Sequence, residues 1–377
     1  MIEAAAHTIF SKPCVLPPRP LNDPPRVFYR RTRVDYSKDG LRPGHTHYPI
    51  ALLWTPSRQQ NAPVETTYVT ALGSDVFEID TRMGGHAGIT ASYLIRGSKP
   101  CLVETGTARS APLVIDSLLE LGVDSEDLAT IVVTHIHLDH AGGVGDLAAA
   151  FPNSTIVVHE RGARHLVDPA KLVASAHRVF GSDMDRLFGD LLPTPADRIV
   201  TLGDIGTIDI GDGRHLDTFH NPGHASHHVG LLDNLTGDLY TGDAAGVYVP
   251  QTADVRPATP PPDFDLPLAL SSLGRMRSAG AERLLFSHYG PVSAVHDVLD
   301  QSEAELYYWV ESVREARAQS PDIDHAVALV RERDRERHPD FYSDAARVAA
   351  YEDLSSVAAQ VMGISRWLDQ GQDRSPQ

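Results

Sequence analysis

The segment Thr134-His135-Ile136-His137-Leu138-Asp139-His140 constrains this chain more than any other feature of its sequence. It follows the apolar run 128–133 and precedes Ala141-Gly142-Gly143. Four potential metal ligands fall within six residues. A strand alternates its side chains between two faces and a helix winds them around an axis, so neither aims all four at one place. A loop leaving a strand can fan them around two neighbouring ions. His135 and His137 then meet one ion, while Asp139 and His140 turn toward the second. Imidazole and carboxylate donors suit Zn2+, Mn2+ or Fe2+.

Three further elements follow in chain order: His220-Asn-Pro-Gly-His224-Ala-Ser-His227-His228, Tyr240-Thr-Gly-Asp243 and Phe286-Ser-His288-Tyr289-Gly. Each lies at the end of a predicted strand, where a site belongs in a layered α/β fold. Strands are predicted at 68–72, 76–80, 91–95, 100–104, 128–134 and 155–159, then at 199–202, 208–210, 216–220, 228–233, 239–241 and 284–287. Helices are predicted at 113–121, from 161, and at 267–279, 295–310, 323–332 and 345–368. Residues 169–195 have helical spacing broken by Gly181 and Gly189 and read as a helical lid or insertion.

Three regions result. Residues 1–66 carry Pro13, Pro17, Pro18, Pro20, Pro24 and Pro25, which forbid a regular helix, and read as an extended arm. Residues 67–292 hold the strands and the clustered histidines, and 293–377 read as a helical extension. The run Arg331-Glu-Arg-Asp-Arg-Glu-Arg alternates in sign and reads as a solvated helix surface. The chain of 377 residues has 33 Lys and Arg against 50 Asp and Glu, a net charge of -17. That field repels phosphate backbones and anionic lipid, which argues against nucleic-acid and membrane partners. Two cysteines, Cys14 and Cys101, exclude a disulfide framework, and with no secretory pattern at the N-terminus the expected location is cytoplasmic.

The H-x-H-x-D-H element, the Pro-Gly-His224 element, the Gly-Asp243 element and His288, in that order, resemble the metallo-β-lactamase superfamily over about residues 67–292. The resemblance implies a four-layer αββα sandwich with two metal ions between the sheet edges, zinc first, manganese or iron as substitutes. By position, His135, His137 and His224 would hold one ion, Asp139, His140 and His288 the other, and Asp243 would bridge them. Glu104 stands where the family usually has Asp, accepting a hydrogen bond from a ligand imidazole. His228 matches a second histidine of the Pro-Gly-His pattern and reads as a support for the ligands.

This ligand set implies hydrolysis of a small carboxylic ester, lactone or thioester by a metal-bridging hydroxide, with Asp139 as proton shuttle. Tyr248 and Tyr289 are candidate substrate phenols because each lies near a ligand in sequence, although packing is the plainer role for both. The pocket would be walled by 169–195, 246–266 and the C-terminal helices. Those helices also offer a homodimer contact by family habit. The alternative is a mononuclear iron enzyme like the persulfide dioxygenases, which use residues matching His135, His224 and Asp243. That branch tends to lose the second ligand group, and here it is intact. A non-catalytic metal-binding module is the weakest alternative. His45-x-His47 reads as a surface pair; His159, His165, His177, His215 and His220 read as structural or solvated; His227 reads as structural, with a substrate contact as the alternative; Asp263 and Asp265 read as helix caps, with a place bordering the pocket as the alternative.

Overall fold

The computed structural model describes residues 68–371. The proline-rich arm, with Cys14 and His45-x-His47, lies outside the described residues. Two sheets form the centre. One runs in chain order: β1 (Val69–Gly73), β2 (Val76–Asp80), β3 (Ala91–Ile95), β4 (Cys101–Val103), β5 (Thr130–Val132), β6 (Thr155–His159) and β7 (Ile199–Leu202). Its first four strands are antiparallel, and β4 through β7 are parallel. The second contains β8 (Ile205–Gly211), β9 (Arg214–His220), β10 (Val229–Asp233) and β11 (Asp238–Gly242). A separate hairpin follows, β12 (Val247–Val249) with β13 (Asp254–Arg256), and then β14 (Arg283–Phe286) and β15 (Gly290–Val292) complete the second sheet in the order β15-β14-β11-β10-β9-β8. Its one parallel pair is β11 with β14.

The helices are α1 (Ala111–Glu120), α2 (Leu138–Ala141), α3 (Val144–Ala150), α4 (Glu160–Val167), α5 (Ala170–Phe180), α6 (Asp183–Leu187), α7 (Leu266–Ser278), α8 (Val295–Gln319), α9 (Ile323–Arg337), α10 (Pro339–Tyr342), α11 (Ala345–Leu354) and α12 (Val357–Asp369). Three apolar cores separate the layers. Tyr93, Ile95, Val103, Val132, Leu231, Tyr240 and Leu285 fill the space between the sheets. Leu94, Leu102 and Ile131 face the other way and pack with Val114 and Leu118 of α1 and Leu147 of α3. Leu239, Leu284 and Phe286 pack outward with Leu273 of α7 and Leu299, Trp309 and Val313 of α8. Strands buried on both faces need this alternation of targets rather than an alternation of polarity. The result is the αββα sandwich with a helical C-terminal extension. Among the described residues, no helix is long and apolar enough to cross a membrane.

Three expectations change. The hairpin β12–β13 and strand β15 had no sequence prediction. The helix expected over 345–368 is two, because Ser355 leaves helical geometry and the Ser356 side chain caps α12 through the Ala359 N–H. The charged run 331–337 is not a purely solvated face. Asp334 is buried against the Arg256 guanidinium at 2.7 Å, and Arg337 pairs with buried Glu305 at 2.7 Å.

His338, after α9, lies 3.0 Å from Asp254 of β13 and 3.4 Å from Glu305 of α8. Burial opposes its protonation, but these two carboxylates outweigh it and raise the imidazole to about 9. Because the folded value lies above the unfolded one, the stabilisation is complete below about pH 6.5 and disappears as pH rises through about 9. Arg337 shares Glu305 and screens part of the effect. The unfolding free energy is expected to fall between pH 7 and 9.5 by about 1–2 kcal/mol more in the parent than in His338→Gln. Equal losses in urea unfolding of the two proteins at pH 7 and 9.5 would remove His338 from this account.

Candidate metal centre

The sheet edges place the candidate ligands. Parallel strands β4 and β5 end at the same edge, followed by Glu104 and by Thr134-His135. In the second sheet, parallel β11 and β14 also end together, followed by Asp243 and His288. Strand ends of parallel pairs are where open α/β sheets collect their sites. The turn after β9 brings in His224. Gly223 has φ 127° there, and a Cβ on it would lie 2.2 Å from the Ala269 nitrogen. Gly242, at φ 49°, has His228 Nε2 2.4 Å from the position a Cβ would take. Both turns therefore demand glycine.

All seven candidate ligands converge. His135 Nε2, His137 Nδ1 and His224 Nε2 lie 2.9 to 3.2 Å from one another. His140 Nε2 and His288 Nε2 are 3.1 Å apart, each 3.2 Å from Asp243 Oδ1. Asp139 Oδ2 is 3.4 Å from His288 Nε2 and 3.6 Å from His140 Nε2. Asp243 Oδ2 lies 3.4 Å from His224 Nε2. One carboxylate thus faces both groups.

The tautomers agree with a cation site. His224 Nδ1–H donates to the Ala258 carbonyl at 3.0 Å, and His288 Nδ1–H to the Ile89 carbonyl at 2.9 Å. The Nε2 of His224 is then left as a lone pair facing His135 Nε2 and His137 Nδ1. Facing lone pairs repel unless a positive charge lies between them. His140 Nδ1 and Glu104 Oε2 are 3.5 Å apart, each buried without a closer partner. Glu104 Oε1 accepts the Thr134 N–H at 3.2 Å, which ties the carboxylate to the strand end that carries His135. His228 Nε2 accepts the Asp243 N–H at 3.1 Å and so fixes the backbone of the shared carboxylate.

Electrostatics divide the two groups. Burial, then the neighbouring rings, push His137 down to about 4, and burial lowers His135 and His224. In the other group burial is overcome: Asp243 is the chief carboxylate raising His140, and it raises His288 to about 9. Asp139, despite its burial, is drawn down to about 2 by His140 and His288. This corner of the fold is built to accommodate positive charge.

The ligands open onto a cavity of about 830 Å3. Its walls come from α4 to α6, from 247–263 and from α11 to α12, including residues of each region expected to wall it. Tyr248 and Tyr289 are not among the lining residues. The Tyr248 ring stacks on Phe286 at 5.6 Å, and the Tyr289 hydroxyl bonds Glu78. Their positions near ligands in sequence place them behind the site. Asp265 does cap α7 through the Leu268 N–H, but Asp263 lines the cavity and accepts from the Ser226 N–H and hydroxyl. His227 also lines it. Its Nδ1 accepts the Ile136 N–H at 3.4 Å, and burial lowers it to about 3, so the ring is neutral. His159 and His220 stack at 4.4 Å, with His159 capping α4 through the Arg161 N–H. The carbonyls of Ala258 and Ile89 that orient two ligand rings have no sequence signal, because any residue supplies a carbonyl.

The sequence profile of the metallo-β-lactamase superfamily matches residues 86–288, and the chain belongs to that superfamily, whose fold binds metal ions. It is similar to the metallo-β-lactamase fold-containing protein ST1585 of Sulfurisphaera tokodaii, at 31% identity over 172 residues, 45% of this chain and 63% of that one. The solved structure of ST1585, an archaeal metallo-β-lactamase superfamily protein, superposes with a TM-score of 0.52 at 26% identity, covering 63% of this chain and 87% of that one. A diflavin flavoprotein, A 1 of Thermosynechococcus vestitus, is 28% identical over 66% of this chain and 40% of its own length. The N-acyl homoserine lactonase AttM of Azorhizobium caulinodans is 27% identical over 46% of this chain and 59% of its own. The chain therefore spans less than two thirds of each of these sequence relatives.

Proposed function

We propose that this chain is a dinuclear metal-dependent hydrolase of a carboxylic ester, lactone or thioester. The observation that carries the reading is Asp243, whose two oxygens face two separate donor groups within 3.4 Å. His135, His137 and His224 would hold one cation, and Asp139, His140 and His288 the second. Zinc is the expected metal, with manganese or iron as substitutes. Bound cations supply Lewis acidity and make water a nucleophile at neutral pH. Asp139, a carboxylate at the cavity surface, would orient the attacking water and take its proton. Glu104 and His228 hold His140 and Asp243 in place. The lactonase AttM, a relative by sequence, supports acyl chemistry.

A second reading is a mononuclear iron oxidoreductase using His135, His224 and Asp243, whose Oδ2 lies 3.4 Å from His224 Nε2. Metal content per chain separates the two. Plasma mass spectrometry of protein expressed without added metal should find about two zinc or manganese ions, with turnover in a lactone and thioester panel. One iron per chain, with oxygen uptake on a persulfide, would overturn the hydrolase.

A further inference from the structure

The cavity is not chemically uniform. On its α4–α5 side stand Arg161 and Arg164, one helical turn apart, and Lys171 in the first turn of α5. Among the described residues none of the three forms an ion pair with a carboxylate. Arg161 donates to the Ser226 carbonyl at 3.2 Å, and Arg164 Nε approaches His165 Nε2 at 3.2 Å. Glu160 is the one carboxylate of α4 and α5 that lines the cavity; Asp263, across the Ser226 turn, is held by the Ser226 N–H and hydroxyl. The carboxylates opposite are already occupied. Asp353 pairs with Arg186 at 2.8 Å and His86 at 2.9 Å, Asp183 with Arg186 at 3.1 Å, and Glu352 with Arg331 at 3.3 Å. A chain of net charge -17 has thus left three cations unneutralised beside its candidate centre.

The cationic wall is close to the ligands. Arg161 is anchored on the loop between His224 and His227, and the His227 ring lies 5.9 Å from that of His137. Arg164 and Lys171 both bear on His165, lowering it after burial has done so. Next to the cations the lining turns apolar. Leu172, Val179 and Phe180 of α5 face the cavity, the latter two more than a third exposed. Exposed apolar side chains lining a large concavity mark a ligand surface rather than a packing defect.

Resting on the hydrolase reading above, we propose that the substrate is an amphipathic anion, an acyl ester or thioester that joins an apolar chain to a carboxylate- or phosphate-bearing group. The charged group lies against Arg161, Arg164 and Lys171, and the chain lies along α5. A small neutral lactone or ester would leave both surfaces uncovered.

Binding of unreactive thioethers to the metal-loaded protein tests this without turnover. Three probes share an octyl chain: S-octyl-coenzyme A, S-octylmercaptosuccinate and neutral S-octyl-N-acetylcysteamine. By calorimetry at low salt, at least one anionic probe is expected to bind about tenfold tighter than the neutral one, roughly the sum of three modest exposed charge contacts. Which anion gains separates phosphate from carboxylate recognition. The advantage should shrink as salt rises, and should fall to about twofold in Arg161→Ala/Arg164→Ala/Lys171→Ala. Replacing octyl by ethyl should weaken every probe. Equal affinities for charged and neutral probes, an advantage that survives the triple substitution, or indifference to chain length would overturn the proposal. Failure of the hydrolase reading has a different signature: the matching thioesters are bound with the same preferences and none is cleaved.

Discussion

Asp139→Ala is expected to lower turnover by about 10²–10⁴-fold, the range for removing a positioned proton-transfer group. Its carboxylate faces His140 and His288 at 3.4 to 3.6 Å from a position at the cavity surface, so the fold should survive its loss. Asp139→Asn keeps the shape but accepts no proton and is expected to be nearly as slow. Metal content measured on the same samples separates two causes. A full metal complement with lost rate assigns Asp139 to proton handling; a drop of about one ion per chain assigns it to holding the second cation. An asparagine variant that retains most of the parent rate would end its role as proton acceptor.

The second large effect is on stability. Asp334→Ala is expected to destabilise the protein by about 3–5 kcal/mol, because it leaves the Arg256 guanidinium buried without its counter-charge. Arg256 lies 4.3 Å from the Phe341 ring and 5.6 Å from Trp309, where no water replaces the lost carboxylate. The Tyr342 hydroxyl, which donates to Asp334, would lose its partner as well. Arg256→Met/Asp334→Leu removes both charges and should recover much of the loss. Guanidinium unfolding of the parent and the two variants gives the comparison. A single variant within about 1 kcal/mol of the parent would mean the pair is solvated rather than buried.

The ligand candidates were legible in sequence because their chemistry admits few residue types, and a cation needs several of them within a short span or at successive strand ends. The layered fold was legible for a related reason: β4, β5, β11 and β14 are apolar segments that lead directly into those residues. What escaped was structure defined by distant partners. The strands of the β12–β13 hairpin and β15 have three residues each, too short for a period to appear. The break between α11 and α12 is made by Ser355-Ser356, with no glycine or proline to announce it. The run 331–337 looks solvated until Arg256, on another element, reaches Asp334. Tyr248 and Tyr289 follow the plainer reading: near ligands along the chain, they pack away from the cavity.

The candidate ligands sit at strand ends, in the turns after them or, for Asp139 and His140, on the short helix α2 after β5, whereas α11 and α12, which also line the cavity, fall outside the 86–288 segment that matches the family. The ligands and part of the cavity wall therefore come from different stretches of the polypeptide. Grafting 345–369 from another member of the superfamily would remodel what enters the pocket without touching any of the seven ligand positions.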